Sequence, residues 1–294
     1  MKAVLYYLSL PFILFISSLP LTILYGIGDL ILFPVLYHLV GYRKKVVRIN
    51  LRKSFPAKTE EERLRIEKDF YHYLCDLFVE TVKMFTISKS TLAKRITYDH
   101  FPSAKEWFTK QKSFVLTIGH FGNYEWFCQS FVWHFKQKAT GPYRQFSNKY
   151  FDQLFTRART KFGTFVYPTH KTFHAIKEFQ NEPIIVALAN DQSAPPDKSY
   201  WTQFLNQDTT FFTGPDRIAQ ILDAPVVYAT IDRVRRGYYH VSFQIITENS
   251  KSAGQNEIVE KHARLLENDI QRNPAIWLWS HKRWKFKKEG GRNY

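Results

Sequence analysis

The chain has 294 residues, 45% hydrophobic and 17% aromatic, enough for one large domain or two small ones and too apolar for a disordered chain. Lys and Arg exceed Asp and Glu by 42 − 26 = 16, which suits a polyanionic partner such as nucleic acid, an anionic membrane surface or a phosphorylated lipid. Cys75 and Cys128 stand far apart and outside any CxxC arrangement, which excludes a disulfide framework or zinc signature and fits a reducing compartment.

The N-terminus comes first. Between Lys2 and Arg43 the only charge is Asp29. A bilayer crossing needs about 20 apolar residues, and this stretch offers more, interrupted by Pro11, Pro20, Pro34 and "GIGD". Residues 1–42 are therefore expected to be a membrane anchor, either one tilted or kinked span or a helix pair that dips into one leaflet. A signal peptide fits less well, because the stretch is too long and lacks an A-x-A cleavage site. A buried core helix would be shorter and less apolar. "RKKVVRINLRK", residues 43–53, follows with six basic residues and no acid. Such a run marks the cytoplasmic side of an anchor and attracts anionic lipid. Residues 43–294 are expected to form one domain against that face.

Next comes a helix. Thr59 with Glu62 three residues on makes a capping box. Phe70, Tyr73, Leu74, Leu77, Phe78 and Val82 then follow helical spacing. From residue 113 the pattern changes. "SFVLTI", "GTFVYP", "PIIVALAN" and "APVVYATI" are short β-branched-rich runs bounded by Gly, Pro or Asn, the pattern of strands covered on both faces. Helical stretches at 123–135, 149–161 and 172–180 separate them, which predicts an α/β fold with a mostly parallel sheet. "APVVYATIDRVRRGYYHVSFQII" reads as a hairpin turning at "RRGY", and a helix fills 256–272. No internal repeat or low-complexity linker appears.

"TIGHFGNYEW", residues 117–126, lies where the first strand gives way to a helix. Ligands in open α/β sheets sit beyond the carboxyl ends of strands. His120 and Glu125 stand there five positions apart. That spacing proves little: with 10 His and 26 acids, about one such pair arises by chance. "HARLLE", from His262 to Glu267, is a second one. Inside a helix its members diverge by about 140°, so it reads as a solvated helix face. The first pair is set apart by Gly119 and Gly122, which let the chain turn sharply. A folded-back loop would let Glu125 orient one ring nitrogen of His120 while the other takes a proton. The helix start would offer N–H groups to developing negative charge. On local sequence alone, a satisfied turn histidine with a capping Glu explains the pair equally well.

Other candidates carry less. His170 and His174 have the i, i+4 spacing of metal ligands but neither HExxH nor a third ligand, so a helix-surface pair is expected and no metal. Cys128 near His120 would suit a cysteine nucleophile, but reads as a small buried hydrophobe. No nucleic-acid recognition motif accompanies the basic and aromatic residues. The closing "HKRWKFKKEGGRNY" suits either a tail seated at a lipid interface or a solvated basic tail.

"GHFGNYEW" looks like the HX4D/E motif of the lysophospholipid acyltransferase superfamily. The chain resembles specifically the late acyltransferases of lipid A biosynthesis, the HtrB/lauroyl acyltransferase family. The apolar N-terminus, "RINLRKSFP", "GPYRQFSN", "RARTKFG", "ALANDQS", "FFTGPDRIA" and "NPAIWLWSHKRWK" carry that resemblance nearly end to end. It implies a glycerolipid acyltransferase-like fold and a bacterial inner-membrane enzyme working at the cytoplasmic face. Such an enzyme moves an acyl chain from acyl carrier protein, or coenzyme A, to a hydroxyl on a phosphorylated glucosamine lipid, and needs no cofactor. His120 would be general base and Glu125 its partner, with direct attack on the thioester and no acyl-enzyme. Asn123 would help hold the oxyanion. Arg144 and Arg157 would grip phosphate through their paired donors, with Asn148 a weaker candidate. Asp191, at the same sheet edge as His120, would position the catalytic loop or a sugar hydroxyl, unless it is a strand-end turn acid. Gly214 would permit close approach in an acyl groove lined by "FFTGP", unless that segment is core aromatics before a helix. Arg217 would contact phosphate or stay on a helix face. Two other functions are kept open: transfer to a lysophospholipid, aminolipid or glycolipid, and non-catalytic interaction at a membrane, against which the intact His–Glu pair argues.

Overall fold

The structure is a computed structural model that describes residues 2–99, 112–179, 182–288 and 290–291. Two apolar helices begin the chain, α1 (Lys2–Ser18) and α2 (Leu21–Ile27). The helical path of α2 continues through wide π turns at Gly28–Leu32 and Pro34–Leu39. Leu21–Leu39 is thus long and apolar enough, by length and composition, to cross a membrane. The basic run forms α3 (Lys44–Ser54). The next helix, α4 (Glu60–Lys83), opens at the expected capping box: Thr59 N–H donates to Glu62 Oε2 (2.7 Å) and Glu62 N–H to Thr59 Oγ1 (3.2 Å). A short α5 (Lys89–Ala93) follows.

The sheet strands are β1 (Ile96–Tyr98), β2 (Phe114–Ile118), β3 (Lys138–Tyr143), β4 (Phe165–Pro168), β5 (Ile184–Ala189), β8 (Val226–Arg235) and β9 (Tyr238–Thr247). Their order is β1-β9-β8-β2-β5-β3-β4, and every pairing is parallel except β8 with β9. This is the expected α/β fold with a mostly parallel mixed sheet. A separate hairpin, β6 (Ser199–Phe204) and β7 (Gln207–Phe212), is antiparallel. The remaining helices are α6 (Tyr124–Ser130), α7 (Lys149–Thr160), α8 (Thr172–Glu178), α9 (Gly214–Leu222) and α10 (Glu257–Arg272).

Alternation along β2 divides the core. Val115 joins a cluster with α4, α9, α10 and the β6–β7 hairpin. Phe114, Leu116 and Ile118 join one with α2, α6 and α7. Both faces of the sheet are therefore covered, as its unbroken apolar strands require. The C-terminal segment is no peripheral tail: Trp277, Trp279, Arg283 and Trp284 are fully buried, and the Arg283 guanidinium lies 4.1 Å from the centre of the Phe211 ring. This corrects the reading of "HKRWKFKKEGGRNY" as a lipid-seated or solvated tail, because Arg283 and Trp284 within it belong to the core; Glu289 and residues 292–294 of that stretch lie outside the described residues. His262 is likewise fully buried, against Tyr228 and Phe211, not on a solvated helix face.

Candidate active site

Parallel pairing of β2 and β5 builds the site. Ile118 is in register with Ala189, and each chain runs two residues further, to His120 and Asp191. Two side chains 71 positions apart thus meet at the carboxyl edge of the sheet. Asp191 is 2% exposed, and three donors converge on it. His120 N–H (2.8 Å) and Trp277 Nε1–H (2.9 Å) donate to Oδ2, and the His120 ring approaches Oδ1 through Nδ1 at 2.5 Å. A carboxylate on Nδ1 assigns the proton to that nitrogen and leaves Nε2 as acceptor. Burial pulls the His120 pKa down, but the charge and hydrogen bond of Asp191, with the charge of Glu125, outweigh it and raise it above the usual 6.5. Asp191 is held well below the usual carboxylate range: burial raises it, and the His120 and Trp277 contacts lower it further. The side chain of His120 is 16% exposed, and Tyr124 meets its ring edge-on at 4.7 Å.

The two glycines have distinct jobs. A Cβ at Gly119 would lie 2.5 Å from Leu266 Cδ1, so glycine lets α10 close on the loop. Gly122 has φ +62°, and a Cβ there would lie 2.0 Å from the Ile231 carbonyl oxygen. Its own N–H donates to Ile276 O (3.0 Å) and its carbonyl accepts from Tyr73 OH (2.7 Å). The loop is thus clamped between α4 and the C-terminal segment.

Glu125 does not take the place on the His120 ring that the motif spacing suggests. It sits in the first turn of α6, where Arg159 of α7 holds both its oxygens, Nη2 to Oε1 at 2.5 Å and Nε to Oε2 at 2.9 Å. Glu125 therefore acts on His120 through its charge, and Asp191 makes the hydrogen bond.

Asn123 is fully buried, with its side chain taken up by partners in the core. Its Oδ1 caps Trp126 N–H (2.9 Å), and its Nδ2 donates to Glu80 Oε2 (2.6 Å). Glu80, also fully buried, accepts further bonds from Tyr25 OH (2.7 Å) and Tyr239 OH (2.8 Å), and burial pushes its pKa up to about 7. Three N–H groups at the α6 start are also taken: Tyr124 donates to Gly122 O, Trp126 to Asn123 Oδ1 and Phe127 to Asn123 O. Asn148 caps α7 by accepting from Tyr150 N–H (3.1 Å) and donates to Lys2 O (3.2 Å). Arg144, Arg157 and Arg217 are exposed, and among the described residues none bonds to the His120 loop. No atom lies within 4 Å of a Cβ built on Gly214, so no close approach requires glycine there. His174 pairs with Glu178 on an exposed helix face (3.1 Å). Burial pushes the Cys128 thiol up to about 12, which suits a packing residue and not a nucleophile.

Sequence reasoning places Gln192 beside Asp191 at the strand end without giving it a role, and passes over His281, Trp277 and Arg159. Gln192 brings Nε2 to 3.4 Å from His120 Nε2. His281 Nε2 accepts from Ser193 N–H (3.2 Å), and burial holds its pKa down at about 4. Trp277 and Arg159 are the others. Arg159 stood in view in "RAR", but two arginines two positions apart on a helix point to different sides, and the sequence alone did not say which side was inward.

A family model described as bacterial lipid A biosynthesis acyltransferase matches residues 1–286 of the chain. No curated protein matches it.

Proposed function

The chain belongs to the bacterial lipid A biosynthesis acyltransferase family and is an acyltransferase, and from that premise we propose that it moves a fatty acyl group from a thioester carrier to a hydroxyl of a lipid A precursor, with His120 as general base. The observation that carries the reading is the His120–Asp191 pair at the carboxyl edge of the sheet. Asp191 fixes the ring with Nε2 unprotonated, facing the Gln192 amide. Nε2 takes the proton of the acceptor hydroxyl as its oxygen attacks the thioester carbonyl, and the resulting imidazolium is stabilised by Asp191 and by the nearby charge of Glu125. Collapse of the tetrahedral intermediate expels the thiolate, and the proton on Nε2 is available to it. Gln192, whose amide nitrogen lies 3.4 Å from His120 Nε2, would donate to the oxyanion. Arg159 holds both carboxylate oxygens of Glu125 and so fixes its place within a part-buried site.

A net charge of +16 favours an acidic acyl carrier protein as donor and an anionic membrane as the place of work. The inner membrane, with the catalytic face in the cytoplasm, matches the basic run after residue 42. Purified protein given acyl carrier protein or coenzyme A thioesters, with a lipid A precursor or a lysophospholipid as acceptor, tests the assignment by mass spectrometry of products. Acylation of the lipid A precursor is expected. Efficient acylation of lysophospholipid with the precursor untouched would refute it.

A further inference from the structure

The helix that could cross a membrane by length and composition is bound lengthwise to the domain. α2 and its continuation run antiparallel to α4, turn by turn. Lys83 Nζ donates to Ser17 O and Leu19 O, both at 2.9 Å, just before α2. Tyr25 OH donates to Glu80. Arg236, from the β8–β9 hairpin, joins Asp29 (2.7 Å) to Asp76 (2.5 Å). Phe33 stacks on His72 at 3.8 Å, and Tyr37 OH donates to Glu67 Oε1 (3.1 Å). From Lys83 back to Glu67, α4 rises about 25 Å, close to the ~30 Å apolar thickness of a bilayer. If α2 crossed the membrane, α4 would cross beside it. The exposed Lys68 and Asp69 would enter lipid, and the Arg233–Asp76–Arg236–Asp29 cluster would sit near mid-depth. Charged groups are strongly disfavoured there.

The opposite faces of the same helices have no partner among the described residues. Leu5, Leu8, Phe12, Phe15, Leu30 and Leu39 are exposed, Leu30 to 80%. Exposed Lys2, Arg43 and Lys45 bracket this apolar face, a charge pattern complementary to anionic headgroups. α1 is tied down as well: Tyr6 stacks on Tyr150 of α7 at 5.5 Å, and Lys2 Nζ donates to Ser147 O (3.0 Å). We propose that α1 and α2 do not cross the bilayer but lie in one leaflet of an anionic phospholipid membrane, as the lipid-facing surface of the catalytic domain itself. α7, which carries Arg159, lies directly under α1, so the site would open close to the plane of the lipid. The inference is independent of the roles assigned to His120 and of the acceptor.

Two measurements on the full chain test it. A Cβ at position 28 would lie 4.0 Å from the Cys75 Cβ, within the range a disulfide spans. Gly28→Cys protein bound to anionic phosphatidylglycerol-containing vesicles is treated with copper phenanthroline, denatured and labelled with a thiol-reactive polymer. One labelled thiol in place of three is expected, while Leu30→Cys, on the outward face, keeps three. Three free thiols in the membrane-bound Gly28→Cys protein would overturn the proposal. The second measurement needs no substitution: epitope tags before Met1 and after Tyr294 are probed with protease in sealed inverted membrane vesicles. Both tags cleaved from the same side is expected, and an N-terminal tag protected inside the vesicle would overturn it.

Discussion

Asp191→Asn separates the orienting role of Asp191 from its packing role. Asp191 Oδ2 accepts two bonds from donors that cannot be reversed, His120 N–H (2.8 Å) and Trp277 Nε1–H (2.9 Å). The carboxamide of an Asn must keep its oxygen there, which turns its NH2 toward His120 Nδ1. A donor facing Nδ1 moves the ring proton to Nε2, the atom that must accept a proton from the hydroxyl. The same change in a Ser-His-Asp triad lowers kcat about 10⁴-fold, equivalent to about 5.4 kcal/mol of barrier. The fold should tolerate it, because both bonds to the Oδ2 position remain, from the His120 backbone N–H and the Trp277 indole N–H, and a buried charge is removed. Thermal melting of the variant beside transfer rates at saturating donor and acceptor makes the check. A folded Asp191→Asn protein retaining more than a tenth of wild-type kcat would refute the assignment of the ring's orientation to Asp191.

His120 also predicts a pH dependence. The base works unprotonated, so kcat/KM rises with pH through a His120 pKa displaced above 6.5; Glu125→Gln removes one of the charges that raise it, and the acid limb should move to lower pH. The same raised pKa contributes stability that is fully present below about 6.5 and is lost as pH climbs through the folded-state value. Melting temperatures of wild type and His120→Gln should therefore converge over that window. Gly122→Ala forces a side chain to 2.0 Å from the Ile231 carbonyl at φ +62°, and a stability loss of at least about 3 kcal/mol in denaturant unfolding is expected. Cys128→Ser should keep transfer within about twofold of wild type, because a thiol pushed up to about 12 takes no part as a nucleophile; loss of activity with an unchanged melting temperature would contradict this.

Strands whose apolar runs are bounded by turn residues were legible in the sequence, and so was the α4 capping box. β3 was not, because "KATGPY" carries Gly141 and Pro142 in an interior strand. The structure shows why both fit. A Cβ at Gly141 would lie 3.0 Å from Ala187 O, and pairing with β5 ends at Thr140, before the proline that cannot donate. The β6–β7 hairpin escaped because its turn, Leu205–Asn206, has φ of 49° and 63° without the usual Asn-Gly or Asp-Gly signal. Within the site, the motif drew attention to Glu125, five residues away. The bonding partner lies 71 residues away and depends on the register of β2 with β5, which a single sequence does not encode as a local pattern. Once that register is known, His120 and Asp191 follow from the same two-residue step past Ile118 and Ala189.

The most direct test of the central claim is a single-turnover assay of purified wild type and His120→Ala with acyl carrier protein thioester and a lipid A precursor. Product lipid and intact protein are both read by mass spectrometry. The account predicts acylated lipid without acylated protein in wild type, and a fall of about 10²–10⁴ in rate for His120→Ala, the range of general-base catalysis. Transfer by His120→Ala within tenfold of wild type, or an acyl group trapped on the protein, would contradict it.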